Sequence, residues 1–206
     1  MFLLLGALYL VVGFSLGQTS IPSSCGTDTT SQAGSGTSSS NSGGSSGSSL
    51  TLTSDDITSG GTIASTFAMT DCMGGNQSPH LAWSGTLPSG TLSLAVTVID
   101  TSFNNAVHWL LYNIPTTSTT LSRNSSPSEI SNTTREVQNV YGDIDYGGPC
   151  PPTGESHTYQ FTVWALDVAD LMNVSGFNAN SGSSAYSLLQ EHDLASASFN
   201  ATFVGP

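Results

Sequence analysis

The chain has 206 residues, of which only Arg123 and Arg135 are basic against 14 Asp and Glu, giving a formal net charge of −12. With no cationic footprint to displace counterions, nucleic-acid binding is excluded, and anionic membrane surfaces would repel the chain. Charged residues make up only 8% of the sequence, so solubility must rest on Ser, Thr, Asn and attached sugars.

Met1 to Ser15 is an apolar run without Lys or Arg, followed by the small Gly17. This reads as a secretory signal peptide over residues 1–17, so a secreted or extracellular protein without a transmembrane segment in its mature form is expected. A permanent anchor is the rival, although the run sits at the short end of the spanning range. Residues 18–49 are dominated by Ser, Gly and Thr, with Asp28 the only charge. Such a segment has too little apolar surface to offset its ordering entropy and is predicted to be a disordered linker or stalk. A chain shortened to begin at Ser48 should therefore unfold at the same temperature as the mature protein. A large drop would show that the segment packs on the domain. Residues 50–206 are long enough for one ordinary domain with its own core.

Within the domain, strand signals fall at Thr62–Met69, Ser93–Ile99, His108–Ile114, Tyr159–Leu166 and Ala195–Val204, all rich in β-branched and aromatic residues. Asp167–Met172 is predicted as a turn and Ser183–Glu191 as a short helix, with Ala185, Leu188 and Leu189 apolar. No amphipathic helix recurs between strands, which argues against a βαβ architecture. The fold class is mainly β, an antiparallel β-sandwich with one or two short peripheral helices.

Three cysteines in an oxidising compartment leave one over. Cys72 and Cys150 lie in Gly-rich loops of the domain and Cys25 in the linker, so Cys72 with Cys150 is the economical disulfide, unpaired buried thiols being the alternative. Glycosylation sequons occur at Asn76, Asn124, Asn132, Asn173 and Asn200. Pro79 and Pro127 follow the first two motifs directly, so Asn132, Asn173 and Asn200 are the better acceptors.

Two histidine signatures stand beside apolar strands: Asp100 to His108-Trp109, and Tyr146-Gly147-Gly148-Pro149-Cys150-Pro151-Pro152 leading to His157 and Tyr159. Two imidazoles, one carboxylate and a stiff Gly-Pro turn would form a small polar pocket suited to an anion, with backbone amides free where the turn has glycine. The same residues could hold zinc, but no His-x-x-x-His or Cys-x-x-Cys spacing supports it. No Gly-x-Ser-x-Gly elbow is present. Neither a cofactor nor enzymatic activity is expected. His80 and His192 lie outside both signatures.

Taken in order, these segments resemble the phosphatidylethanolamine-binding protein (PEBP) family, particularly its bacterial-type branch. The resemblance runs through Leu52–Asp56, Gly60–Ile63, Cys72–Gly85, Ala95–Asp100, His108-Trp109, Asn113–Pro115, Tyr146–Pro152, His157–Asp167 and Leu194–Ser198. It implies a pocket for phosphate, phosphoesters or phospholipid head groups, lined by Asp100, His108, Gly148, Pro149, Cys150, Pro151 and His157. The chain departs from the family's Asp-Pro-Asp-x-Pro at Asp100–Asn104 and from its His-Arg at His157-Thr158. If the lost acid and the lost Arg were partners, the local charge balance is kept, and binding is expected to be retained but altered. The resemblance leaves a second function open, a secreted protease inhibitor or other protein-interaction module with a degenerate pocket. With no Lys or Arg in either signature, anion affinity should rise as pH falls and the imidazoles charge.

Overall fold

Ser93–Asp100 is buried at every position, because the sheet that contains it is covered on both faces. The computed structural model describes residues 49–125 and 130–206. The signal peptide, Cys25 and all of the predicted linker but Ser49 lie outside the described residues. The described elements are β1 (Thr51–Thr53), β2 (Leu81–Ser84), β3 (Ser93–Asp100), β4 (Ala106–Ile114), β5 (Thr120–Leu121), β6 (Arg135–Glu136), β7 (Ser156–Leu166), α1 (Gly182–Glu191) and β8 (Asp193–Val204). A three-stranded sheet runs β1-β2-β5 and a five-stranded sheet runs β6-β4-β3-β7-β8, every pairing within them antiparallel. The predicted mainly β sandwich is therefore the architecture of the protein.

Two apolar layers hold it together. Leu52, Leu81, Trp83 and Leu121 of the small sheet pack with Val96, Val98, Trp109, Leu111, Phe161 and Phe199 of the large one. On the far face, Ala95, Ile99, Leu110, Tyr112 and Trp164 pack with Ala185, Leu188 and Leu189 of α1. Side chains alternate between the faces of a strand, so Leu94, Val96 and Val98 of β3 enter the first layer and Ala95 and Ile99 the second. Thr97, the polar member of that run, takes its hydrogen bond from Trp164 Nε1 at 2.9 Å. The helix begins at Gly182, one residue before the predicted start, with the Ser181 hydroxyl accepting from the Ser184 amide.

The predicted strand Thr62–Met69 is not formed. Thr62 makes a single bridge to Thr202, and Ser65–Phe67 is a 3-10 turn. Buried Ile63, Phe67 and Ala68 lack the alternation a strand needs, and the loop folds on itself, with Ala68 O accepting from Asn76 N at 2.8 Å and Ser65 O from Gly75 N at 3.1 Å. The segment caps the edge of β8 instead: Gly60 and Ile63 donate to Asn200 O and Thr202 O at 2.7 and 2.8 Å. That pairing removes part of an open sheet edge. Cys72 and Cys150 form a disulfide, with Cα atoms 5.4 Å apart, tying this loop to the Gly-Pro turn.

Candidate functional site

The site begins where β3 ends. Asp100 lies opposite Ala106 of β4 and Tyr159 of β7, and it is only 3% exposed. Asn104 and Asn105 both have positive φ, 49° and 53°, and Ala106 N donates to Phe103 O at 2.9 Å. This is the geometry of a tight hairpin turn that asparagine tolerates well, and it replaces the prolines of the related pattern. Asp100 Oδ1 accepts from the Ser102 and Phe103 amides at 2.9 and 3.2 Å, while Oδ2 accepts from His157 Nδ1 at 2.6 Å. One carboxylate thus caps the turn and orients an imidazole. His157 Nε2 lies 3.4 Å from the exposed Glu155 carboxylate. The hydrogen bond to Asp100, ahead of any other influence, raises the His157 pKa above its ordinary value.

His108 reaches the same place by a break in register. Val98 pairs with Trp109 and Ile99 with Val107, so His108 is the extra residue of a β-bulge. Bulges re-aim side chains in this way. The residue is 4% exposed, and Nδ1 donates to Gly147 O at 2.8 Å, while Gly147 N donates to His108 O at 2.9 Å. The edges and faces of Tyr141 and Tyr159 meet it at centroid distances of 5.5 and 5.1 Å. Burial pushes the His108 pKa down, against the smaller opposing pull of the Gly147 carbonyl and Asp100. The two histidines are therefore driven in opposite directions, the charged form being favoured at His157 and disfavoured at His108.

The Gly-Pro turn offers less than its sequence suggests. The Gly147 amide goes to His108 O and the Gly148 amide to Asn76 Oδ1 at 2.8 Å. Neither glycine presents a free donor, and among the described residues of Gly147–Pro152 only the Cys150 amide has no internal acceptor. Gly148 and Pro149 do not line the cavity: the Gly148 carbonyl accepts from Tyr141 Oη at 2.9 Å, and the Pro149 carbonyl accepts from Met69 N at 3.0 Å. A Cβ on Gly148 would meet Phe67 O at 2.4 Å, so only glycine lets the turn approach this closely.

These parts enclose a cavity of about 380 Å³. Asp100, His108, Cys150, Pro151 and His157 line it as nominated from the sequence, together with Ser102, Phe103, Tyr141, Glu155 and Tyr159, which were not. Tyr159 was readable as a neighbour of His157 on one strand face. Tyr141 stands in a loop with no pattern to mark it. Burial, then the Asp100 charge, raises both phenols, Tyr141 to about 12, so both remain hydroxyls. His80 and His192 lie elsewhere, His192 Nδ1 being 2.7 Å from Asp167 Oδ1. Of the sequon asparagines, Asn132, Asn173 and Asn200 are exposed, whereas Asn76 is committed to Tyr146 O and Gly148 N.

A helix-backed antiparallel sandwich with one aromatic-walled cavity at the strand ends, floored by an Asp–His pair, has the architecture of a small-ligand binding module. More particularly, the chain belongs to the phosphatidylethanolamine-binding protein family, whose model matches residues 53–204. The UPF0098 protein YbcL of Escherichia coli is 40% identical over 124 residues, 56% of this chain and 67% of YbcL. The crystal structure of YbcL, described as a member of the mammalian PEBP family, matches with a TM-score of 0.66, 32% identity and coverage of 75% of this chain and 98% of that one. LppC of Mycobacterium tuberculosis, named a putative lipoprotein, is 36% identical over 101 residues, 48% of this chain and 47% of LppC. Among the described residues, no helix is long and apolar enough to cross a membrane.

Proposed function

We propose that this protein is a secreted binding protein whose cavity takes a phosphate, phosphoester or phospholipid head group and performs no chemistry on it. The observation that carries this reading is the convergence of His157, Cys150 and His108 on one half-open cavity, with His157 held by Asp100 at 2.6 Å. The apolar N-terminal run supports an extracellular location, as does the lipoprotein name of the mycobacterial relative. Exposed Asn132, Asn173 and Asn200 are the sites at which a glycosylating host would add sugar.

His157 is the one cationic group at the pocket, so anion binding and its protonation should be coupled. Its raised pKa keeps it charged at higher pH than a free histidine. Calorimetric titration with inorganic phosphate is expected to show affinity rising as pH falls from about 8 to 5.5, and a flat profile in His157→Ala. Wild-type binding that ignores pH, or that survives His157→Ala unchanged, would remove the proposal. A second reading, a protein-interaction module, is favoured by exposed Phe103 and Val140 at the cavity mouth. Inhibition of a protease that persists in His157→Ala would support it.

A further inference from the structure

We propose that His108 makes the pocket selective for anions that still carry an O–H, which narrows the reading above to phosphate and singly protonated phosphomonoesters, a free phosphoethanolamine head group among them, in preference to sulfate and to phosphodiesters such as a head group still joined to its lipid. The inference rests on the anion-binding reading above and adds its selectivity. The Gly147 carbonyl accepts from Nδ1 at 2.8 Å and so fixes the tautomer. Nε2 is then a bare lone pair. Among the described residues no N–H or O–H reaches it, it is absent from the sealed polar atoms without partners, and the ring lines the cavity. Water can donate to it in the open cavity, and a ligand that displaces that water must bring a donor of its own.

The groups around the ring keep it in this form. Asp100 faces it from β3, His157 and Tyr159 from β7, and Tyr141 and the Gly147 carbonyl from the segment after β6. The Gly147 carbonyl, Asp100 and the Gly148 carbonyl favour a second proton, His157 opposes it, and burial is the largest influence and lowers the pKa. Elsewhere the lining holds Cys150, whose amide has no acceptor among the described residues, and His157, whose charged form Asp100 favours. A ligand group matched to these walls accepts from two directions and donates in a third. An oxyanion with no hydrogen sets its own lone pair against that of Nε2 and leaves a buried acceptor desolvated without a partner. Sites built around a ligand O–H reject analogues lacking it far more strongly than apolar pockets reject a missing methylene.

Four probes titrated calorimetrically into the full mature chain separate the possibilities: inorganic phosphate, methyl phosphate, dimethyl phosphate and sulfate. Near pH 5.5, below the second phosphomonoester pKa of about 6, the first two should bind at least roughly tenfold more tightly than the last two. At about pH 8 methyl phosphate has lost its O–H, whereas inorganic phosphate keeps one, so the affinity ratio should move at least tenfold toward inorganic phosphate. This ratio cancels the charge on His157, which both ligands share. His108→Gln, which offers an amide N–H at the same place, should bring sulfate to within a few-fold of phosphate. Equal affinity for sulfate and phosphate in the wild type would overturn the selectivity while leaving an anion site standing. No binding of any probe would overturn the site itself, and the inference with it.

Discussion

Removal of the Cys72–Cys150 disulfide is expected to lower the melting temperature by about 10–20 °C. The bridge spans 78 residues of sequence, and that span includes all of β2 through β6. In the chain-entropy treatment a loop of this length restricts the unfolded chain by about 4–5 kcal/mol. For a domain of this size each kcal/mol moves the midpoint by about 2–4 °C. The native turn has other ties, Met69 N to Pro149 O and Gly148 N to Asn76 Oδ1, so the reduced protein should still fold. Calorimetric melting of the oxidised protein, of the reduced protein and of Cys72→Ala/Cys150→Ala checks this. A shift of only a few degrees would mean that the unfolded chain is already constrained by other means.

Asp100→Ala should cost about 2–4 kcal/mol, because it strands the Ser102 and Phe103 amides and the His157 imidazole together. Asp100→Asn is the more informative change: it keeps an oxygen for the turn amides and removes the charge that His157 faces. The His157 pKa is raised in the folded protein, first by its hydrogen bond to Asp100. Such a pair stabilises fully below the unfolded histidine value of about 6.5 and loses its contribution as pH rises through the higher folded value. The stability gap between wild type and Asp100→Asn should therefore be widest at mildly acidic pH and narrow toward about pH 8.5. Denaturant melts at several pH values measure it. A gap that is constant with pH would show that Asp100 acts through the turn alone.

How far the sequence discloses this molecule depends on which residues carry a repeating pattern. β3, β4 and β7 were legible because long apolar runs are the signature of strands buried on both faces, β8 because its small and aromatic residues alternate with polar ones, and α1 because Ala185, Leu188 and Leu189 share one helical stripe. β5 and β6, with two residues each, are too short for any period to register, and β2 is hemmed by Pro79 and Pro88. Thr62–Met69 misled because β-branched composition reflects a fit to a half-buried pleat and does not create one. At the site, chemistry-bearing residues were found and their orientations were not. Pro149 and Gly148 belong to the motif yet face the Phe67–Met69 backbone, and Tyr141 faces the cavity without belonging to any motif. The bulge that turns His108 inward comes from strand pairing, which no single segment reveals.

The placement of β3 between two covered faces and two bonded neighbours also divides the molecule by how easily its parts open. Amide hydrogens of Leu94–Ile99 have no solvent route short of dismantling both apolar layers, so they should exchange only with global unfolding. The adjoining turn, Thr101–Asn105, is exposed throughout and can open on its own. Asp100 is the boundary residue between these regimes. A ligand that reaches the cavity past Ser102 and Phe103 can thus be admitted by a local opening costing a small fraction of the global unfolding free energy, while the strand that aims Asp100 stays closed.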